Sequence, residues 1–123
     1  MPPKRPPGWS AEAGYRAGRP ARDPEVTAIF CGNDDLALGV HRALREAGRS
    51  VPSDVSIVGF DDSPSAAFWN PPLTTVRMDF VALGRACYAA ARAQIWDEEM
   101  PVPDLPSPRL IVRQSTGPLP TST

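Results

Sequence analysis

Two polar clusters, Asn33-Asp34-Asp35 and Asp61-Asp62, carry most of the chemistry this sequence could perform. Each follows a short apolar run, and in open parallel sheets ligands bind beyond the carboxyl ends of the strands. Carboxylates and side-chain amides in that position exchange hydrogen bonds with sugar hydroxyls, or hold a metal ion such as Mg²⁺. The same residue types cap helices and build turns, and spacing alone does not separate these readings. Arg77 and Arg109 fit either solvated charges or polar contacts at a ligand rim. Phe68, Trp69, Pro71 and Pro72 share one loop, where they either pack on the chain's own sheet or meet a partner subunit.

Catalytic chemistry finds little to build on. The one histidine, His41, falls inside a predicted helix near the border of its apolar stripe, as a packing or surface residue. No Gly-rich phosphate loop, GxSxG elbow or HExxH motif is present. Cys31, at the end of an apolar run, reads as a small core residue rather than a nucleophile. Lys4 is the only lysine and stands far from the acidic clusters in sequence, which weakens a phosphoryl-transfer reading of the Asp pairs. The expectation is a non-enzymatic chain without catalytic residues, cofactor or bound metal.

The elements that position these residues follow from the apolar pattern. Residues 26–31 are β-branched and apolar and end at Gly32, as a buried parallel strand does. Asn33 to Asp35 then open a helix, whose stripe is Leu36, Val40 and Leu44 with Ala37 and Ala47, and which stops at Gly48. Residues 55–60 form a second strand, completing a βαβ unit with short connections. Residues 73–76 suit a short third strand. Asp79 suits the N-cap of a helix over 79–96, on which Phe80, Gly84, Cys87, Tyr88, Ala91 and Ile95 share a face. Residues 109–113 form a last strand. The fold class is α/β, a partial doubly wound parallel sheet.

The composition bounds the rest. A chain of 123 residues makes one small domain. With 41% apolar residues, 22% charged residues and a net charge of −1, it has no general electrostatic reason to bind nucleic acid. No apolar run reaches the roughly twenty residues a membrane span needs. Cys31 and Cys87 match no metal or CxxC spacing, which suits free thiols in the cytoplasm. Residues 1–24 are rich in Pro, Gly, Arg and Ala without helical or strand period, and are expected to be a disordered tail. An ordered unit is expected over 25–117, with a frayed end over 118–123.

Four blocks then resemble one family, in that family's order. They are Ala28-Ile29-Phe30-Cys31-Gly32-Asn33-Asp34 with Leu36-Ala37-Leu38-Gly39, and the run Val51-Pro52-Ser53-Asp54-Val55-Ser56-Ile57-Val58-Gly59-Phe60-Asp61-Asp62. Pro71-Pro72-Leu73-Thr74-Thr75-Val76 with Asp79-Phe80 and Leu83-Gly84 follows, then Leu110, Val112, Arg113, Ser115 and Thr116. Together they resemble the C-terminal part of the sensor domain of LacI/GalR-type transcriptional regulators.

The resemblance implies a two-lobed, periplasmic-binding-protein-like α/β domain that holds a small effector, often a sugar, between its lobes. Effector binding would shift the lobes and, through them, a dimeric helix-turn-helix DNA-binding part. By position, Asn33 and Asp61 resemble effector contacts and Phe80 an aromatic near the cleft. Met78 stands where the family usually has Gln, which removes a polar contact or suits a less polar ligand. Leu38 and Trp69 resemble dimer contacts. The helix-turn-helix and first lobe are expected to belong to a longer parent, so DNA binding and homodimerisation are expectations for that parent. Residues 1–23 match none of the blocks, and a truncated gene, frameshift or misplaced start is expected. The 79–96 helix would pack on the first lobe in the family, so here its apolar face is expected to need a partner chain or stand exposed.

Overall fold

The computed structural model describes residues 8–121. Its first helix, α1 (Ala11–Gly18), begins with the Ser10 side chain accepting from the Ala13 amide and continues into a 3-10 turn over Arg19–Arg22. Strand β1 (Ala28–Phe30) leads into α2 (Asp34–Glu46), and β2 (Ser56–Val58) follows. After a 3-10 turn at Ala66–Phe68 come β3 (Thr75–Arg77), α3 (Phe80–Ile95) and β4 (Arg109–Ile111).

The expected βαβ unit is present. β1 and β2 pair in parallel, Ala28 opposite Ser56 and Phe30 opposite Val58. Parallel bridges Val58–Thr74 and Asp61–Arg77 carry the pairing from β2 to β3. β4 then runs antiparallel to β3, Thr75 opposite Ile111 and Arg77 opposite Arg109. β4 thus adds an antiparallel edge to the expected parallel sheet, an addition that parallel α/β sheets commonly carry.

One core holds these elements. Ala37, Val40 and Leu44 of α2 are buried with Cys31, Val55, Ile57, Ala66 and Leu73, and Val26, Ile29, Leu36, Val51 and Trp69 pack against them. The stripe expected on α2 is its buried face. Ser115 ties the last segment to the sheet: its hydroxyl donates to the Ile57 carbonyl (2.6 Å) and accepts from the Thr74 amide (2.8 Å).

One further element departs from expectation. A disordered tail was expected over 1–24; residues 1–7 lie outside the described residues, but 11–18 form a helix docked on α2. The docking uses backbone more than apolar side chains, because Gly14 lies on the Leu36 carbonyl, Gly39 on the Ala11 carbonyl and Gly18 on Val40. The Tyr15 hydroxyl adds a bond to the Glu46 carboxylate, and Arg49 donates to the carbonyls of Ala21 and Asp23. The face of α3 that carries Phe80, Tyr88 and Ile95 is exposed, with Tyr88 70% and Ile95 75% accessible. Its opposite side, through Leu83, Ala86 and Ala90, borders a cavity closed by Met100 to Leu105. Beyond 117 the described residues have no regular structure, and 122–123 lie outside them.

Candidate functional site

The polar clusters meet at the carboxyl ends of β1 and β2. Asn33 is the N-cap of α2: its Oδ1 accepts from the Leu36 amide (2.8 Å) and its Nδ2 donates to the Trp9 carbonyl (3.0 Å). The Trp9 ring rests against Gly32 beside it. The capping expectation for Asn33 is therefore met in full, and one amide hydrogen and one oxygen lone pair remain for other partners.

Asp34 does more than the sequence suggested. It is 1% exposed, and its carboxylate accepts from the Ser63 amide (2.7 Å) and the Thr75 hydroxyl (2.6 Å), joining α2 to the loop after β2 and to β3. Because Gly59 has no side chain, the carboxylate lies directly over its backbone. The Ser63 hydroxyl beside it is buried without a protein partner.

Asp61 and Asp62 both have positive φ, 120° and 54°, two left-handed residues in succession. Such backbone costs on the order of 1–3 kcal/mol per residue and collects at ligand sites. The two carboxylates face different surroundings. Burial, then the charges of Asp34 and Asp35, push the Asp61 carboxyl above its usual value. Burial also pushes Asp62 up, but hydrogen bonds from Arg77 (2.7 Å) and Arg113 (2.8 Å) and their charges outweigh it, so Asp62 lies below the usual value.

These shifts have opposite consequences for stability. Asp62 binds its proton less readily folded than unfolded, so its contribution is present above the ordinary value of 3.8 and is lost as pH falls through the folded-state value. Asp61 favours the fold while protonated and weakens it as pH rises through its raised value. Asp62→Asn is expected to lower the urea midpoint at neutral pH and to flatten the acid loss of stability between about pH 5 and pH 2. An unchanged acid limb in the variant would show that the two guanidinium contacts do not hold in solution.

Phe80 and Met78 lie elsewhere. Both line a cavity of about 490 Å³ at the start of α3, with Arg77, Asp79 and Arg109. Phe80 is 51% exposed and Met78 half-buried. The four expected effector residues thus form two pairs, Asn33 with Asp61 at the strand ends and Met78 with Phe80 at the α3 cavity, and the Asp61–Arg77 bridge connects the two. Leu38, 42% exposed, borders a cavity of about 580 Å³ with Tyr15, His41 and Arg42. Trp69 packs against the core while donating to the Ser65 hydroxyl (3.3 Å), and its neighbour Phe68 is 87% exposed. Sequence reasoning missed Thr75 and Arg113 as partners of the Asp clusters; each follows an apolar or β-branched residue inside a strand-like run, so pattern alone showed no reason to single it out.

The donor set disfavours a magnesium-dependent phosphoryl site. Both Asp34 oxygens accept hydrogen bonds and both Asp62 oxygens hold guanidinium groups. Among the described residues, no three His, Cys, Asp or Glu side chains gather as metal ligands would. Burial, then the Asp34 charge, raise the Cys31 thiol to about 11, which keeps it protonated as a core residue. Burial, then Arg45, lower His41 below its ordinary value.

A family model described as a periplasmic binding protein-like domain matches residues 3–116. The chain belongs to that family. Its match includes α1, so the expectation that residues 1–23 match nothing in the family is overturned. Within the family the chain is part of a sensor domain of LacI/GalR type. It is 42% identical over 113 residues to the helix-turn-helix-type transcriptional regulator MalR of Streptomyces coelicolor, covering 91% of this chain and 33% of that protein. The lac repressor dimer, solved bound to operator and the anti-inducer ONPF, superposes with a TM-score of 0.76 at 33% identity, covering 88% of this chain and 38% of that one. A LacI family regulator from Enterococcus faecium, solved with bound ribose, gives 0.74 at 34% identity, covering 93% of this chain and 43% of that one. The chain spans about a third of the length of the curated relatives it matches. Those relatives are transcriptional regulators rather than enzymes. Among the described residues no helix is long and apolar enough to cross a membrane.

Proposed function

We propose that this chain contributes one side of the effector site of a transcriptional regulator that responds to a sugar-like ligand. The observation that carries the reading is the strained Asp61-Asp62 step at the end of β2, beside Asn33 and Asp34, in a family with sugar-bound members. Asn33 has hydrogen-bonding capacity left after capping, and Asp61 keeps a carboxylate that no guanidinium occupies among the described residues. Both suit ring hydroxyls. Met78 and Phe80 supply an apolar surface for a ring face, and the thioether in place of an amide favours a less polar ligand edge. Leu38, exposed, and Trp69, beside the exposed Phe68, suit a homodimer contact in the intact parent. DNA binding belongs to other parts of such a parent, the setting is cytoplasmic, and the chain itself is not an enzyme.

A panel of neutral mono- and disaccharides titrated into the ¹⁵N-labelled chain tests this. One sugar is expected to shift the amides near Asn33 and Asp61 saturably, and Asp61→Ala is expected to weaken it at least about tenfold, as loss of a charged hydrogen-bond partner does. Mg²⁺ is expected to cause no saturable shift. A saturable Mg²⁺ response with none to any sugar would sink the reading.

A further inference from the structure

Two guanidinium groups hold Asp62, and they hold it unequally. Arg77 reaches Oδ2 through Nε from the end of β3, but its side chain is 53% exposed, where solvent screens an ion pair to little net effect. Arg113, from the segment after β4, is 15% exposed and works as a fork. One terminal nitrogen donates to Asp62 Oδ1 (2.8 Å) and the other to the Leu73 carbonyl (2.9 Å). Its backbone is fixed as well: the Arg113 amide donates to Thr74 Oγ1 (2.9 Å), and Ser115, two residues on, is pinned between the Ile57 carbonyl and the Thr74 amide. The residue next to this clamp is the one under strain. Asp61, at φ 120°, has a conformation that an L-residue keeps only when its surroundings over-determine it. Its own amide donates to the Val76 carbonyl (2.9 Å), and the Asp62 amide reaches Thr75 Oγ1 at 3.3 Å. The strongest restraint on the step is therefore the Asp62 carboxylate, 8% exposed and charge-paired through both oxygens.

We propose that Arg113 is the positioning residue of the strand-end cluster: by gripping Asp62 it keeps the Asp61-Asp62 step in its left-handed turn, and so keeps the Asp61 carboxylate turned toward Asp34. In this role Arg113 acts through Asp62 and need touch no ligand. Without the fork, Asp61 relaxes to negative φ and its side chain leaves the strand end. That the carboxylate so placed meets a ligand rests on the sugar-sensing reading; its placement does not.

The test follows the Asp61 side-chain carboxyl of the full-length chain by ¹³C NMR as pH is varied. Burial, then the charges of Asp34 and Asp35, hold this group above its ordinary 3.8. Arg113→Gln removes a nearby cation, which by charge alone would raise the midpoint further. If the fork positions Asp61, the midpoint falls toward 3.8 instead, because the carboxyl moves into solvent and away from the two acids. Arg77→Gln, which leaves the fork in place, should raise it. Arg113→Lys keeps the charge without the planar fork and should lower it less than glutamine does. The same panel of neutral sugars supplies the second arm: Arg113→Gln should weaken the responding sugar at least about tenfold, as Asp61→Ala does. A midpoint that rises or stays in Arg113→Gln, with the amide spectrum still dispersed, overturns the role. Where the glutamine variant does not fold, an unmoved midpoint in Arg113→Lys overturns it equally. A midpoint lowered in Arg113→Gln, while the unaltered chain responds to no sugar, upholds the positioning and removes the sensor reading.

Discussion

Gly39→Leu is expected to destabilise the chain by about 3 kcal/mol, at the upper end of overpacking costs, and to release α1 from α2. Any side chain at position 39 meets backbone, the Ala11 carbonyl and the Tyr15 amide, rather than a flexible group that could turn aside. The reciprocal contact of Gly14 on the Leu36 carbonyl fixes the same approach from the other helix, so neither partner can shift without opening the other. The variant keeps the whole core of α2, because Ala37, Val40 and Leu44 face the sheet. Amide hydrogen exchange should therefore show protection lost over 11–18 and retained in β1 and β2. Equal protection of α1 in both proteins, with an unchanged urea midpoint, would refute the docking.

Asp34→Ala is expected to cost about 3 kcal/mol. The carboxylate is buried and holds two donors from separate segments, the Ser63 amide and the Thr75 hydroxyl. Its removal leaves both unsatisfied, opens a void over Gly59 and takes a negative charge from the first turn of α2, where the helix dipole favours one. Asp34→Asn keeps the volume and one acceptor oxygen, and should lose roughly half as much. Urea titration of the three proteins ranks them. An alanine variant within about 0.5 kcal/mol of the parent would mean that water replaces the carboxylate freely, against its burial.

Asp34 also marks where sequence reading stops. From the pattern it was a helix-opening acid like Asp35, and the pattern holds no sign that Ser63 and Thr75 converge on one of the pair only. α2 and β2 were legible because each buries apolar side chains at its own period, and the stripe Leu36, Val40, Leu44 faces the core as read; β1 was placed by its apolar run, but the buried strand expected there packs only Ile29 against the core and leaves Phe30 68% exposed. α1 was not legible. Its contact runs through Gly14 and Gly18, residues that leave no apolar signature, and prolines on both sides argue for a tail. The apolar period of α3 was read correctly, yet periodicity does not say what covers a face, and Phe80, Tyr88 and Ile95 stand in solvent. The direction of β4 was hidden for a similar reason, since alternation is the same in parallel and antiparallel strands. At the candidate site, the two polar clusters were picked out by position after a strand, and Asn33 and Asp61 within them by the family resemblance, whereas the guanidinium partners of Asp62 come from β3 and from the segment after β4, and only folding brings them together.

The contact between Trp9 and the Gly32-Asn33 step gives the chain an optical readout of its own. The indole lies on the backbone next to an amide that its own carbonyl binds, so any event that reorients Asn33 alters the polarity around the chromophore. With Trp69 and Trp96 replaced by phenylalanine, the emission maximum of a single residue would follow the state of the strand-end cluster in real time, without a label.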